Sequence, residues 1–203
     1  MQMITVNTDS FFASLVSLWI FIIVMVGSPG PANLLMMTIG SQFGMRAATR
    51  FNAGLVSGKV CLNVAMAIGF GAFLKAHPVL LIMFKYSSAA VMIYLSLLTL
   101  RKQVGDPKIS GSLSWCAGFI VHPLNPKAWV MIILTWTEFG PHLGSMVQQT
   151  MIICLSFAVA QLIFHSLWAL AGSLLSRAFR ASLWLNRLLV LVTCFFVIWT
   201  VLL

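Results

Sequence analysis

Acidic residues are nearly absent from this chain. Of its 203 residues only three are Asp or Glu (Asp9, Asp106 and Glu138), and all charged residues together make up 7%. A water-soluble domain carries roughly a quarter charged residues, so this composition excludes one. No carboxylate lies inside an apolar run, which excludes paired-carboxylate chemistry there. No nucleophile–base set can be assembled from the apolar runs either, so a membrane-embedded enzyme has little support. The four cysteines, Cys61, Cys116, Cys154 and Cys194, are widely spaced, with no Cys-x-x-Cys pair. That spacing argues against a metal centre or a thiol relay and leaves them as small buried apolar residues. Residues 1–10 lack Lys and Arg. The apolar segment after them leads into a Pro-Gly-Pro break instead of a small-residue cleavage site, so the first span is expected to stay in the mature protein.

Apolar residues fill what remains, at 61% of the chain and a mean hydropathy of +1.02. The uncharged runs are long enough for membrane helices and lack the short alternation of a membrane barrel. The expected fold is an all-α integral membrane domain over residues 1–203, with six spans. They are placed at about Phe11–Gly40, Ala53–Leu74, Pro78–Leu100, Leu113–Thr137, Thr150–Leu175 and Leu183–Leu203. The net charge of +9 could suggest nucleic acid, but topology explains it better. Arg46 and Arg50, then Arg101, Lys102 and Lys108, then Arg177, Arg180 and Arg187 fall in the odd-numbered loops. The even loops and both tails hold only Lys75 among the basic residues. The positive-inside rule then puts the odd loops in the cytoplasm and both termini outside.

Two of the runs are interrupted. Ser28-Pro29-Gly30-Pro31-Ala32-Asn33 sits within 36 uncharged residues between Asp9 and Arg46, and His122-Pro123-Leu124-Asn125-Pro126-Lys127 breaks the fourth span. Proline removes a backbone donor and crowds the preceding turn, so neither run can be one continuous helix. The breaks lie roughly 95 residues apart, each in the first span of a set of three. Two related sets of three spans must sit in opposite orientations, a 3+3 inverted repeat with halves at roughly 10–100 and 113–203. Each break starts a fresh half-helix: Asn125 is a good N-cap before Pro126, and Gly30 or Ser28 caps before Pro31 or Pro29. Opposite orientation turns both half-helix N-termini, with their unpaired N–H groups and partial positive charge, toward the membrane middle. The carbonyls near Val26-Gly27 and Val121-His122 lose their helical partners beside them. Donors next to acceptors suit the carboxylate and ammonium of a free amino acid; simple packing kinks are the alternative.

Lys127 lies about 14 and about 10 residues from the two ends of its span, too far to snorkel out with ease. An intramembrane lysine is by default a functional candidate, although pairing with backbone carbonyls is open to it as well. Lys59 and Lys85 stand nearer span ends and are expected to snorkel. The second span carries Gly54, Gly58, Cys61, Ala65 and Gly69 as a small-residue stripe for close packing. Lys59 and Asn63, and Gln161 and His165, are pairs four apart that either line a pathway or bond across helices. Proton handling would fall to His122, His165, Glu138, a lysine or the substrate itself.

The residues also resemble the lysine exporter/homoserine–threonine exporter (LysE/RhtB) family over nearly the whole chain. The resemblance rests on Pro29-Gly30-Pro31 with Asn33, Gly44-x-Arg46, Ala53-Gly54 with Gly58, and Lys85-Tyr86. It continues through Ala89-Ala90, Tyr94-Leu95 and Asn125-Pro126-Lys127-Ala128. The Trp168–Gly172 run and the Arg177–Arg180 loop resemble its cysteine/O-acetylserine-exporter-like members. The resemblance implies a multi-pass exporter of amino acids or close derivatives in the bacterial inner membrane, driven by the proton gradient. Many relatives have an acid where Lys59 stands and some a polar residue at Leu62; a lysine there argues against a cationic substrate.

The combined reading is a secondary transporter of small neutral amino acids or derivatives. Ser28, Gly30, Pro31 and Asn33 form one side of its site, and Asn125, Pro126 and Lys127 the other. Lys59, Asn63, His122, Glu138, Gln161 and His165 are pathway or proton-handling candidates. Its partners are the substrate and the lipid bilayer; no nucleic acid, cofactor or metal is implied, and a homo-oligomer is compatible. The rival is a non-transporting membrane scaffold or regulatory subunit.

Overall fold

The structure is a computed structural model that describes residues 8–71, 76–98, 100, 114–123, 125–179 and 183–202. Among these are seven α-helices and no strand. Helix α1 (Thr8–Gly27) ends where expected, because Ser28 N makes the last helical bond to Val24 O at 3.0 Å and Pro29 has no N–H to continue. Gly30, in extended conformation, is the N-cap of α2 (Pro31–Ala67), and Pro31 takes the first helical position.

α2 corrects the expected boundary of the second span. The chain is helical from Pro31 to Ala67, with one non-helical residue, Gly44, at φ 75°. No loop intervenes before Ala53. Neighbouring contacts show what Gly44 does. Asn33 shares a cavity with Gln161 and His165; Gly40 and Met37 lie against Ala169 and Gly172; Asn52 returns to Leu162 and Ser166; Lys59 reaches Phe157. The polypeptide therefore climbs, turns back at Gly44 and descends along the same long helix. A left-handed φ makes glycine the residue for that corner.

That long helix is α6 (Met146–Ala178), preceded by α3 (Pro78–Leu98), α4 (Trp115–Val121) and α5 (Pro126–Leu134), and followed by α7 (Leu183–Leu202). At 33 residues α6 is about 50 Å long, and Ser145 with Gln148 closes a capping box at its start. α4 and α5 are the two pieces of the second interrupted run, and a π-helical turn (Thr135–Phe139) and a 3-10 turn (Gly140–His142) lead from α5 toward α6. α1 from Ser10 and the whole of α6 are each long and apolar enough to cross a membrane.

Glycines bring backbones into contact at two crossings of α2, one with α6 and one with α4. A Cβ on Gly40 would collide with the Ala169 carbonyl, one on Gly172 with Met37, and one on Gly54 with Trp115. Gly58 packs on the Phe119 carbonyl in the same way, but further along the predicted stripe Cys61 and Gly69 are exposed. Only the Gly54–Gly58 part of it is a helix contact.

The outside of the bundle is apolar: Ile20 and Val24, Leu155 and Leu167, and Leu191 and Phe195 all face outward. Lys59, Asn63, His122, Gln161 and His165 are buried inside. Lys59 is 0% exposed, which corrects its expected snorkelling. It faces α5, where its ammonium donates to Ala128 O at 3.2 Å and lies 4.1 Å over the Phe157 ring. Since α2 turns at Gly44, Lys59 lies well inside the descending arm. The side chain of Lys85 lies outside the described residues.

Candidate functional site

At the end of α1 each carbonyl in turn has a donor. Val24 O takes Ser28 N, Met25 O takes Ser28 Oγ (3.1 Å), and Val26 O takes Asn33 Nδ2 (2.7 Å). Gly27 O takes the indole N–H of Trp168 (3.1 Å). Ser28 O takes both Asn33 Nδ2 (2.9 Å) and Lys127 Nζ (3.1 Å), Pro29 O takes Lys127 Nζ (3.3 Å), and Gly30 O takes Leu34 N (2.9 Å). A severed helix end away from water must satisfy its carbonyls, and three side chains from three helices do so here. The expectation that Val26 and Gly27 would offer free acceptors is thereby corrected. The donors at the start of α2 are a different matter: Gly30 has no side chain with which to cap, and the amides of Ala32 and Asn33 point into the break without helical partners.

The second break is mended mainly by its own residues. Asn125 caps α5 as expected, its Oδ1 accepting from Lys127 N at 3.1 Å. Trp129 Nε1 donates back to Pro123 O at 2.7 Å, and Asn125 N to His122 O at 3.0 Å. Lys127 then reaches across to the first break, where Ser28 Oγ is its closest acceptor at 2.8 Å. The two breaks, about a hundred residues apart in the chain, are thus in direct contact, and Gly30 lies against the Lys127 side chain.

Around that contact lies a buried polar layer. The imidazoles of His122 and His165 stack with centroids 5.6 Å apart. Gln161 Nε2 is 3.0 Å from His122 Nε2, and His165 Nδ1 is 3.0 Å from Asn52 Oδ1. Asn52 Nδ2 donates to Leu162 O and Ser166 Oγ, so its Oδ1 accepts and His165 carries its proton on Nδ1. A cavity of ≈ 20 Å³ is lined by Gly30, Asn33, His122, Asn125, Lys127, Gln161 and His165, among others. It has room for a water molecule and is far smaller than an amino acid. Asn33 Oδ1, His122 Nδ1 and Gln161 Oε1 are buried without a hydrogen-bond partner. A wider hollow of ≈ 350 Å³ between α2 and α6, near Ile68 and Met151, is lined almost wholly by apolar side chains and offers no comparable chemistry.

Of the residues singled out in the sequence, Ser28, Gly30, Asn33, Asn125, Lys127, His122, Gln161 and His165 come together. Pro31 starts α2 at the edge of the group; Pro126 starts α5, and its side chain lies outside the described residues. Lys59 and Asn63 form an adjoining buried step, where Asn63 Nδ2 donates to Lys59 O and Asn63 Oδ1 accepts from Trp136 Nε1 at 3.1 Å. Glu138 stands apart, exposed beyond α5 and bonded by Thr137 Oγ1. Asn52 and the capping indoles of Trp129 and Trp168 were missed. Asn52 is legible afterwards as the member of an Asn52–Lys59–Asn63 face at helical spacing, hidden by a span boundary drawn at Ala53.

A helical bundle that is apolar outside, and gathers its amides, imidazoles and ammonium groups at the centre, is built for lipid surroundings. The sequence profile of the LysE type translocator family matches residues 22–203, and the chain belongs to that family. It is also similar to an uncharacterised membrane protein of Pseudomonas aeruginosa, at 27% identity over 122 residues. That similarity covers 55% of this chain and 56% of the relative, so the chain spans about half the length of the curated relative it matches. No solved structure matches.

Proposed function

We propose that the chain is a proton-coupled secondary transporter that exports small neutral amino acids or their derivatives across the plasma membrane by alternating access. In this reading it crosses the membrane six times as two inverted sets of three, with α1 and the first arm of α2 forming one broken span and α4 and α5 the other. Both termini lie outside the cytoplasm, and a second copy of the chain is an allowed partner. The observation that carries the reading is the meeting of the two breaks: uncapped amides at the start of α2, the Lys127 ammonium, and the unpartnered oxygens of Asn33 and Gln161 surround one small cavity. Donors and acceptors at membrane depth are costly to maintain, and lining a substrate path is their best-attested use. Ser28, Gly30, Pro31 and Asn33 bind from one side and Asn125, Pro126 and Lys127 from the other. His122 and His165 are the buried groups able to take a proton near the site; Glu138 is too far out to serve it.

The first test is efflux. Lys127→Ala and Asn125→Ala should each cut export of the transported amino acid at least about tenfold, the weight of one charged or capping hydrogen bond, with normal membrane insertion. Unchanged efflux in both would remove these residues from the mechanism. One observation favours the scaffold reading instead: Lys127 already spends its three donors on acceptors of the first break, as a purely structural brace would. A scaffold confers no resistance to any particular amino acid when overexpressed, whereas an exporter raises tolerance to its own substrate alone.

A further inference from the structure

The Lys127 ammonium fastens the two breaks to one another. The Lys127 ammonium has three N–H donors, and Ser28 Oγ, Ser28 O and Pro29 O take them at 2.8, 3.1 and 3.3 Å. The neighbouring cavity is too small for an amino acid, yet three buried polar atoms without partners line it: Asn33 Oδ1, His122 Nδ1 and Gln161 Oε1. Asn33 is 4% exposed and Gln161 0%, so water outside the bundle does not serve them. Buried polar atoms left without partners are rare and costly; a water in the cavity serves them at rest, and a ligand that brings its own polar groups can take its place. Asn33 Nδ2 already donates to Val26 O and Ser28 O, so Asn33 Oδ1 can only accept, and the group that completes it is a donor such as an ammonium.

Charge points the same way. The ionisable side chains of this layer are Lys59, His122, Lys127 and His165, contributed by α2, the second break, α5 and α6. None is acidic, and the described acid nearest in sequence, Glu138, is exposed. Among the described residues no acid stands beside the Lys127 ammonium, so the carboxylate of a ligand would be the anion that balances it.

We propose that Lys127 is a latch operated by the substrate's carboxylate. The carboxylate takes the ammonium away from Ser28 and Pro29, the two breaks part, and the cavity widens around an α-amino acid whose ammonium rests on Asn33 Oδ1 and Gln161 Oε1. This rests on the exporter reading for the location of the site and adds how the site opens and which groups a substrate must carry. The exchange is favoured because a carboxylate adds a full opposite charge beside the ammonium in a low-dielectric site, a Coulombic attraction that three neutral oxygens cannot supply. The Ser28 carbonyl is not stranded, since Asn33 Nδ2 keeps its bond at 2.9 Å. The free amides of Ala32 and Asn33 meet the incoming carboxylate at the start of α2. An amino-acid amide, which lacks the carboxylate, cannot work the latch.

Accessibility of the cavity tests this. Ala32 lines it and is 6% exposed. A full-length chain carrying Ala32→Cys, with Cys61, Cys116, Cys154 and Cys194 replaced by serine, is reconstituted in vesicles, and its alkylation rate by a maleimide is read. The probes are L-alanine, L-serine and L-threonine, each against its carboxamide. The acids should raise the rate about tenfold and the amides should not; adding Lys127→Met should give the fast rate with no ligand at all. A Lys127→Met rate as slow as the parent's overturns the latch, as does any result in which acids and amides act alike, including neither acting. If Lys127→Met fails to insert, the acid-against-amide comparison on the parent decides alone. Flux of labelled amino acid from the same vesicles separates the two ideas. Acid-dependent opening without flux keeps the latch and removes the exporter; flux without acid-dependent opening does the reverse.

Discussion

Among the described residues no carboxylate pairs with the Lys59 ammonium, which rests on one carbonyl and one aromatic face. Replacing a buried charge by an apolar side chain of similar shape is often neutral or stabilising, while leaving it with the wrong partner is costly. Lys59→Met should therefore keep the thermal midpoint of the detergent-solubilised protein within a few degrees. Lys59→Glu should lower stability by about 3 kcal/mol, because it sets a carboxylate against the Ala128 carbonyl and the negative face of Phe157. A midpoint that falls equally in both variants would mean that the ammonium lost in each, with its bond to Ala128 O and its place over Phe157, is itself stabilising. At this scale the sequence was partly legible. Lys127 could be picked out because it follows directly on a proline that fixes it at a helix start. Lys59 could not, since its depth depends on a corner at Gly44 that looks like any glycine in a loop between basic residues.

At the scale of elements, the two breaks were readable because proline and glycine leave the backbone so few alternatives. What mends them was not. The indole N–H groups of Trp168 and Trp129 find their carbonyls only once α6 and α5 are in place, and nothing local in sequence fixes such a partner. The length of α2 was hidden for a similar reason, since Arg46 and Arg50 suggest a loop where the chain only turns a corner. The glycines give a test of these packings. Gly172→Ala pushes a methyl into the Met37 carbonyl and should cost about 1–3 kcal/mol, since two backbones must move apart. Gly44→Ala meets no atom but must hold φ 75° with ψ 178°, a conformation essentially confined to glycine, and should cost about 1–3 kcal/mol. Thermal melts of the two variants check both values, and a Gly172→Ala loss well under about 1 kcal/mol would contradict the close crossing.

At the scale of the molecule, the exposed guanidinium-bearing positions Arg46, Arg50 and Arg177 lie toward one end of the bundle, next to the Gly44 corner and the C-terminal turn of α6, while Glu138 lies beyond α5 toward the other. An even number of crossings with the basic end in the cytoplasm makes a phosphatase fused at the C-terminal end active and a fluorescent protein there dark; the opposite pattern rejects the orientation. One feature of the first break also bears on biogenesis. Its carbonyls depend on donors that emerge from the ribosome 99 and 141 residues later, at Lys127 and Trp168. Until those residues have been made, the first break holds carbonyls without their donors. A nascent chain stalled before Trp168 would present bare peptide oxygens to hydrocarbon and become a target for the proteases that clear orphaned membrane segments.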